Sequence, residues 1–271
     1  MITSQPVAIV TGASTGIGRA AALALAEAGF EVVGTSRDKS RITDRGGVTF
    51  LDLDVTSDAS VAQGVERVLD RFGRIDVLVN NAGVGSAGAA EESSVDQAQG
   101  VFDTNVFGVI RMSKAVLPHM RDRGTGRIIN ISSVLGLVPA PYMATYAATK
   151  HAIEGWSESV DHEVREHGVR VLLVEPAYTK TSFESNVVAA DGPLPVYDAQ
   201  REVFGRVMAS AMEGGDEPAI VAKVVLSAAT DSHPRLRYTA GPTASRVSTL
   251  RRLVPAKAFD KQIRKLNRLA G

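Results

Sequence analysis

A tyrosine and a lysine stand four positions apart in the segment ATYAATKHAIEGW, Ala144 to Trp156, which has the apolar spacing of an amphipathic helix. Tyr146 and Lys150 would therefore share one helical face. One interpretation is a surface lysine whose methylene stem covers an aromatic ring. The other is acid/base chemistry, since an ammonium group near a phenol favours the phenolate and lowers a pKa that is ordinarily about 10. Further motifs along the chain decide between the two.

A glycine-rich segment, TGASTGIG from Thr11 to Gly18, lies between the apolar run PVAIV and a stretch of helical period. Glycines at these positions permit a tight turn, close approach of the backbone to a pyrophosphate, and close packing of a helix on a strand. The first turn of that helix would offer N–H groups to the phosphates. Because the glycines follow a strand and open a helix, they predict a dinucleotide site rather than a structural turn. The residues expected to form it are Gly12, Ser14, Thr15, Gly16, Ile17 and Gly18.

The end of the second predicted strand, EVVGTS, bears on the choice between NAD(H) and NADP(H). A dinucleotide fold that prefers NAD(H) places an acidic residue there against the ribose, but Ser36 occupies the position and Arg37 follows it. A guanidinium group can clamp a 2′-phosphate, so NADP(H) is predicted over NAD(H). Asp38 would face the ribose if the strand ended later. The next basic residues are interpreted individually as solvated loop charges: Lys39, Arg41 and Arg45.

Apolar runs and segments of helical period alternate along the chain. Strands are predicted at PVAIV, EVVGTS, VTFLDL, IDVLVN, GRIINIS and VRVLLVE, with a short one at LRYTAG. Helices are predicted over residues 17–28, 57–72, 101–120 and 217–229 and around Tyr146. Strands that are apolar on both faces and alternate with helices indicate a parallel sheet covered on both sides, an α/β doubly wound Rossmann fold.

This pattern predicts a single domain over residues 1–241, which would bind NADP(H) and carry the catalytic site, with a substrate loop at about 178–215. Residues 242–271 are expected to form a helical extension. The segments LVPAPYMATY and Ser182 to Tyr197 should line the substrate cleft. Both are apolar with few charges, which favours a hydrophobic substrate.

Composition narrows the classes of function. With 271 residues, 44% hydrophobic and 22% charged, the chain suits one α/β domain, and its thirty basic and thirty acidic residues cancel, so net charge does not favour nucleic acid. The absence of cysteine excludes thiolate catalysis and cysteine-based zinc sites, and no histidine pair has metal-binding spacing, so no metal is expected. Neither a signal peptide nor a membrane span is evident, which predicts a cytoplasmic protein.

Six motifs follow one another along the chain: TGASTGIG, DLDV at 52–55, NNAG at 80–83, TN at 104–105, ISS at 131–133 and YAATK at 146–150. In this order and spacing the chain resembles the short-chain dehydrogenase/reductase family from Pro6 to Thr181, and most of all its steroid- and retinoid-dehydrogenase-like carbonyl reductases. The resemblance implies an NADP(H)-dependent oxidoreductase that transfers hydride between the nicotinamide and a hydrophobic ketone, aldehyde or secondary alcohol. The alternative is an NADP(H)-binding sensor without catalysis on the same fold.

The resemblance also implies a role for each matching residue. Tyr146 would be the catalytic acid/base with Lys150 as its partner, and Ser133 would position the carbonyl oxygen. Asn105 would assist a proton relay, although an asparagine inside a helix is more commonly bonded to nearby backbone. Ala177 stands where the family has glycine. The remaining implied cofactor contacts are Asp54 and Val55 near the adenine, Asn81, Ala82 and Gly83 beneath the adenosine, and Pro176, Thr179 and Thr181 near the nicotinamide amide.

The segment from Pro242 to Gly271 holds eight basic residues and one acidic residue. Its apolar residues Phe259, Ile263, Leu266 and Ala270 fall on one helical face, opposite a basic face. The favoured interpretation is a terminal helix that packs on the core or on a partner subunit. The alternative is peripheral contact with an anionic membrane. A homo-oligomer is expected, and a dimer through the helices around Val101 and Tyr146 is favoured over the tetramer that is common in the family.

Overall fold

Nine strands form in the part of the chain that the computed structural model describes, residues 4–42 and 46–269, without the side chains of residues 41, 184 and 185. Arg45 and Ala270, named in the sequence analysis, lie outside the described residues. The strands are β1 (Val7–Val10), β2 (Glu31–Ser36), β3 (Thr49–Asp52), β4 (Val77–Asn80), β5 (Gly85–Ala87), β6 (Gly126–Ile131), β7 (Val169–Pro176), β8 (Val187–Ala189) and β9 (Arg237–Ala240).

Seven of these strands form one parallel sheet in the order β3-β2-β1-β4-β6-β7-β9. The first three strands extend the sheet in one direction and the later four in the other, so the order reverses between β1 and β4. Ligands bind at such a reversal, beyond the carboxyl ends of the strands. The predicted α/β doubly wound fold is confirmed. The remaining two strands, β5 and β8, pair with each other in a separate two-stranded sheet.

Helices cover both faces of the sheet. They are α1 (Gly16–Glu27), α2 (Asp58–Phe72), α3 (Val95–Phe102), α4 (Gly108–Asp122), α5 (Ala144–Val164), α6 (Asp198–Glu213), α7 (Pro218–Thr230), α8 (Pro242–Leu253) and α9 (Ala256–Leu266). Buried side chains of α1 and α7 pack on one face, and those of α2, α4 and α5 pack on the other. The strands are apolar on both faces because both are covered, and the sheet forms the rigid base for the loops at its carboxyl edge.

Two predicted segments differ from the structure. The single helix expected over 101–120 is two helices, α3 and α4, joined by a π-helical turn at Asp103–Phe107. The substrate loop expected over 178–215 contains a full helix, α6, and the short strand β8. No described residue of α6 is buried, but apolar residues recur at helical spacing along one partly covered face, which is a signal for a helix within the predicted loop. They are Val203, Phe204, Val207, Met208, Ala211 and Met212.

The predicted C-terminal extension forms two helices, α8 and α9, separated at Val254 and Pro255. Packing on the domain accounts for only part of its apolar surface. Phe259 and Ile263 are partly covered, whereas the side chain of Leu266 is 59% exposed. Among the described residues, no helix is both long enough and apolar enough to cross a membrane.

Candidate active site

A cleft of about 470 Å³ lies at the carboxyl edge of the sheet, where the strand order reverses. It brings together nearly all the residues singled out from the sequence, although they come from six different strand ends and from α5. Gly18 and Asn105 are not among the lining residues. Those that line it are Gly12, Ser14, Thr15, Gly16, Ile17, Arg37, Asp54, Val55, Asn81, Ala82, Gly83, Ser133, Tyr146, Lys150, Pro176, Thr179 and Thr181.

The glycine loop forms one end of this cleft. Gly12 and Gly16 have φ angles of 63° and 56°, in the left-handed region that favours glycine. A Cβ added to Gly18 would lie 2.3 Å from both the Asn81 Nδ2 atom and the Gly12 carbonyl oxygen, so Gly18 is required for packing rather than for lining. Asn81 Nδ2 in turn donates hydrogen bonds to the carbonyl oxygens of Thr11 and Gly12, at 2.9 and 3.0 Å.

The start of α1 is open toward the cleft. Its N-cap residue, Thr15, makes no side-chain capping bond in the described structure, and no acidic residue occupies the first turn. N–H groups at a helix N-terminus attract anions, whereas an acidic side chain in the first turn would repel a bound anion. These features and the glycine cradle fit the pyrophosphate of a dinucleotide.

The end of β2 agrees with the strand boundary used in the sequence analysis. Ser36 is the last residue of the strand and Arg37 lines the cleft. Asp38 does not face the ribose position, because its carboxylate accepts a hydrogen bond from the Ser40 backbone nitrogen at 3.0 Å and caps a short 3₁₀ turn. Lys39 forms an ion pair with Asp52 at 3.4 Å. Among the basic side chains that are described at this strand end, Arg37 is therefore the one that lines the cleft.

Asp54 lies beyond the end of β3 with an ionised carboxylate. The backbone N–H of Thr56 donates a hydrogen bond to this carboxylate at 2.9 Å and lowers the pKa of Asp54, and the charges of Arg37 and Arg111 lower it further. A carboxylate beside Arg37 is suited to accept hydrogen bonds from the adenosine part of a ligand.

Tyr146 and Lys150 both lie at the base of the cleft, each 9% exposed. The Lys150 Nζ atom is 5.6 Å from the centroid of the Tyr146 ring and donates a hydrogen bond to the Ile131 carbonyl oxygen at 2.8 Å. The interpretation of Lys150 as a surface lysine over an aromatic ring is wrong, because both side chains are buried.

The expected direction of the Tyr146 pKa shift is also wrong. Burial raises the pKa of Tyr146 well above its ordinary value, and the nearby Ser133 hydroxyl offsets only part of that rise. Burial lowers the pKa of Lys150 to about 8, against the opposing charge of Glu154. Desolvation therefore sets the direction of both shifts, and Tyr146 is a neutral phenol at neutral pH.

Ser133 caps a 3₁₀ turn, two residues beyond the end of β6. Its Oγ atom accepts a hydrogen bond from the Leu135 backbone nitrogen at 3.1 Å, which fixes the side chain. The same hydroxyl lies close enough to the Tyr146 phenol to lower the pKa of Tyr146. Two hydroxyl groups from different elements thus meet in the cleft, an arrangement that can hold one carbonyl oxygen between them.

Asn105 is in the π-helical turn between α3 and α4 and is 1% exposed. Its Oδ1 atom accepts a hydrogen bond from the Val84 backbone nitrogen at 2.9 Å. Its Nδ2 atom donates to the Val84 carbonyl oxygen at 2.8 Å and to Thr149 Oγ1 at 3.2 Å. The side chain is therefore hydrogen-bonded to the backbone of the loop after β4 and to a side chain of α5. These partners lie outside its own helix. π-helical turns occur often at functional sites, and the relay role remains a prediction.

The segment after β7 packs against the glycine loop. A Cβ on Gly16 would lie 3.1 Å from the Thr181 Cβ atom, so this segment and the glycine loop approach closely. Thr179 Oγ1 donates to the Ala177 carbonyl oxygen at 3.2 Å, and Thr181 Oγ1 accepts from the Phe183 backbone nitrogen at 3.2 Å. Ala177 is not among the described non-glycine residues with positive φ, so alanine fits this backbone without strain.

An apolar flap, residues 182–213, covers the rest of the cleft and was not foreseen as an ordered structure. The rings of Phe183 and Tyr146 lie 5.8 Å apart, and Met208 and Met212 of α6 line the cleft. Tyr142 has a φ angle of 63°, an uncommon conformation for a bulky residue. Its ring packs 5.7 Å from that of Phe204 of α6. The flap therefore places hydrophobic side chains beside the two hydroxyl groups.

Glu92, which sequence reasoning missed, attaches the flap to the rest of the domain. Its fully buried carboxylate accepts hydrogen bonds from the backbone nitrogens of Ala89 at 2.9 Å and Leu194 at 2.8 Å, and it forms an ion pair with Arg201 of α6. Nothing in the sequence distinguishes Glu92 from the adjacent exposed Glu91. Burial of the carboxylate is what marks it.

Comparison with known proteins places the chain among oxidoreductases. A family model described as short chain dehydrogenase matches residues 6–192. A 3-ketodihydrosphingosine reductase of Bacteroides thetaiotaomicron is 45% identical over 183 residues, which are 67% of each chain. Retinol dehydrogenase 8 of Bos taurus is 37% identical over 256 residues, which are 84% of this chain and 79% of that protein.

Solved structures share the whole architecture. A short-chain dehydrogenase from Streptomyces avermitilis superposes with a TM-score of 0.84 at 34% identity over 98% of both chains. A short-chain dehydrogenase/reductase from Burkholderia phymatum in complex with NAD gives 0.80 at 28% identity over 95% of both. One from Burkholderia cenocepacia in complex with NADP gives 0.77 at 27% identity over 97% of this chain and 99% of that one.

Proposed function

This chain belongs to the short-chain dehydrogenase/reductase family, and on that premise we propose that it transfers hydride between NADP(H) and a hydrophobic ketone, aldehyde or secondary alcohol. The observation that supports this most strongly is the meeting of the Ser133 and Tyr146 hydroxyls, with Lys150 beside them, in a cleft whose far end is a glycine cradle. A simple binding protein would not need this arrangement of acids and bases.

When bound, the nicotinamide would supply or accept the hydride. The glycine loop and the start of α1 would hold the pyrophosphate of the dinucleotide. Arg37 would bind the 2′-phosphate of the adenosine ribose, and Thr179 or Thr181 would contact the nicotinamide amide. The preference for NADP(H) rests on Ser36 and Arg37, since Ser36 does not repel a phosphate and Arg37 can clamp one. Solved relatives in complex with NAD and with NADP are both known, so the proposed preference rests on these two side chains and not on the relatives.

In reduction, Ser133 and Tyr146 would donate hydrogen bonds to the carbonyl oxygen of the substrate. Negative charge that develops on that oxygen would be stabilised between the two hydroxyls, and Tyr146 would deliver its proton. The raised pKa of Tyr146 keeps the phenol protonated at neutral pH, which is the form that reduction requires. The Lys150 ammonium would stabilise the phenolate that remains, and Asn105 would assist the return of a proton.

The substrate is proposed to be hydrophobic because the flap presents Phe183, Met208 and Met212 to the cleft. The names of two relatives, 3-ketodihydrosphingosine reductase and retinol dehydrogenase, denote a keto lipid and a lipid alcohol, which agrees with such a cleft. We therefore propose lipophilic ketones as the substrate class.

The test is the consumption of NADPH and of NADH over a panel of hydrophobic ketones and aldehydes. We expect turnover with NADPH on several long apolar ketones and weaker turnover with NADH. Tight NADPH binding without turnover on any compound would contradict the proposal and favour a sensor.

We also propose that α8 and α9 contact an anionic membrane surface, close to a pool of lipophilic substrate. Leu253 and Leu266 are 76% and 59% exposed among the basic side chains of these helices. Such a mixture of leucines and cations is typical of interfacial helices. Sedimentation with vesicles should show binding to anionic and not to neutral lipid, reduced by the double substitution Lys257→Glu, Lys261→Glu. Equal binding to both lipids, or none, would contradict it.

The cytoplasmic location and the homodimer remain predictions.

A further inference from the structure

Two buried carboxylates face a single guanidinium group beneath the cleft. Arg237 of β9 donates from Nε to Glu154 Oε2 of α5 at 3.0 Å, and the same Nε lies 3.4 Å from Glu175 Oε1 of β7. Its Nη2 atom donates to Glu158 Oε2, at the surface, at 3.0 Å. Glu175 is completely buried and Glu154 is 5% exposed. One cation therefore serves two carboxylates that water does not reach.

Neither carboxylate is fully hydrogen-bonded. Within residues 4–42 and 46–269, both oxygens of Glu175 and Oε1 of Glu154 lack a hydrogen-bond partner. An ionised carboxylate without partners is costly inside a protein, and the common outcome is that the group takes up a proton. Burial and the charge of Glu154 raise the pKa of Glu175 to about 7. The protonation of this pair therefore changes within the range in which enzymes work.

The pair lies against the reactive side chains. Glu154 follows Lys150 by one helical turn on the same face of α5, and its charge raises the pKa of Lys150 against the effect of burial. Burial raises the pKa of Glu154, and Ser132, which is adjacent to Ser133, offsets part of this rise. Glu175 immediately precedes Pro176, which lines the cleft. A change in the charge of the pair is thus transmitted directly to Lys150.

We propose that Glu154 and Glu175, which both face Arg237, carry one proton between them, and that the negative charge left on the pair keeps Lys150 an ammonium group during the proposed reaction. Both are positioning residues, since they act through Lys150 and not on the substrate. The other charged or titratable groups that act on the pair are His151 of α5 and Arg252 of α8. The inference rests on the proposed function, because it requires Lys150 to act in turnover.

The pH profile of NADPH-dependent reduction tests it, in the wild type and in the isosteric variants Glu154→Gln and Glu175→Gln. Wild-type turnover should fall as the pH rises through the pKa of Lys150, which is about 8. Glu154→Gln should move this fall to lower pH by about one unit, because an opposite charge near Lys150 is lost. Glu175→Gln should leave it in place or move it to higher pH. A Glu154→Gln profile that coincides with the wild type would overturn the proposal.

Glu158→Gln is the matched control, since Glu158 contacts the same guanidinium but is half-exposed. Its profile should be that of the wild type. A shift equal to that of Glu154→Gln would overturn the proposal, because the effect would then reflect Arg237 and not the buried pair.

A second readout needs neither substrate nor turnover. The folded-state pKa of Glu175 is raised above its ordinary value, so its contribution to stability is complete below about pH 4.5 and is lost as the pH rises to about 7. The melting temperature of the wild type should therefore fall over this range more than that of Glu175→Gln. Identical pH dependence would overturn proton sharing. This readout stands even if no substrate is found, which separates its failure from that of the proposed function.

Discussion

The two halves of the cleft are held together in different ways. The cofactor half consists of strand ends and the glycine loop, and its characteristic contacts involve main-chain groups, such as those from Asn81 to the Thr11 and Gly12 carbonyl oxygens. The substrate half is the flap, whose helix α6 has no buried residue among those described and is attached through Glu92 and Arg201. One half is continuous with the core. The other is attached from outside the core, by the pairing of β8 with β5, by ring contacts with Tyr142 and Tyr146, and by the ion pair of Glu92 with Arg201.

This difference implies different local stabilities. A segment with few buried apolar contacts opens at a lower free energy than the core of the sheet. The flap should therefore open without disturbing the cofactor half, and substitutions should affect one half without the other. The following variants are designed to break that separation.

The largest effect is expected from Gly18→Ala. The added methyl group would lie 2.3 Å from the Gly12 carbonyl oxygen and from Asn81 Nδ2, so the glycine loop must shift, at a cost of about 1–3 kcal/mol of stability. NADPH affinity should fall by about tenfold or more, measured by fluorescence titration. Gly155→Ala is the matched control, because nothing lies within 4 Å of its added Cβ atom. Unchanged affinity in Gly18→Ala would show that the loop is not a rigid cradle.

Arg37→Ala should affect the cofactor half alone. Loss of a charge-assisted contact with the ribose phosphate costs about 1.5–3 kcal/mol, which is roughly tenfold to a hundredfold in NADPH affinity. NADH affinity should hardly change. Lys39→Ala is the control, since Lys39 is paired with Asp52 and does not line the cleft. Equal loss for both cofactors would argue against phosphate recognition by Arg37.

The smallest effect is expected from Glu92→Gln, in the substrate half. It weakens the ion pair with Arg201 and should cost about 1–3 kcal/mol in the stability of the flap attachment. The KM for a hydrophobic ketone should rise severalfold while NADPH affinity stays the same. Glu202→Gln, on an exposed part of the same helix, should change neither. A parallel loss of NADPH affinity in Glu92→Gln would show that the two halves are not independent.

The cofactor half could be predicted from the sequence because its signals are local. Glycine spacing and the polar residues at strand ends identify it wherever a parallel sheet forms, and the Ser36–Arg37 end of β2 lies where the sequence analysis placed it. Glu92 and Arg201 could not be found in this way, because their contact joins residues 109 positions apart and each has exposed counterparts nearby. The pKa of Tyr146 was misjudged for a related reason. The direction of the pKa shift depends on how deeply the Tyr146 side chain is buried, and the spacing of residues along a helix does not show that depth.

The most direct test of the account compares the wild type with Tyr146→Phe in one experiment that measures both NADPH binding and ketone reduction. The substitution removes the proton donor and leaves the aromatic ring in the same packing. We predict NADPH affinity close to that of the wild type and turnover lower by roughly a hundredfold to ten-thousandfold. Turnover within a few fold of the wild type would contradict the assignment of Tyr146 as the acid/base.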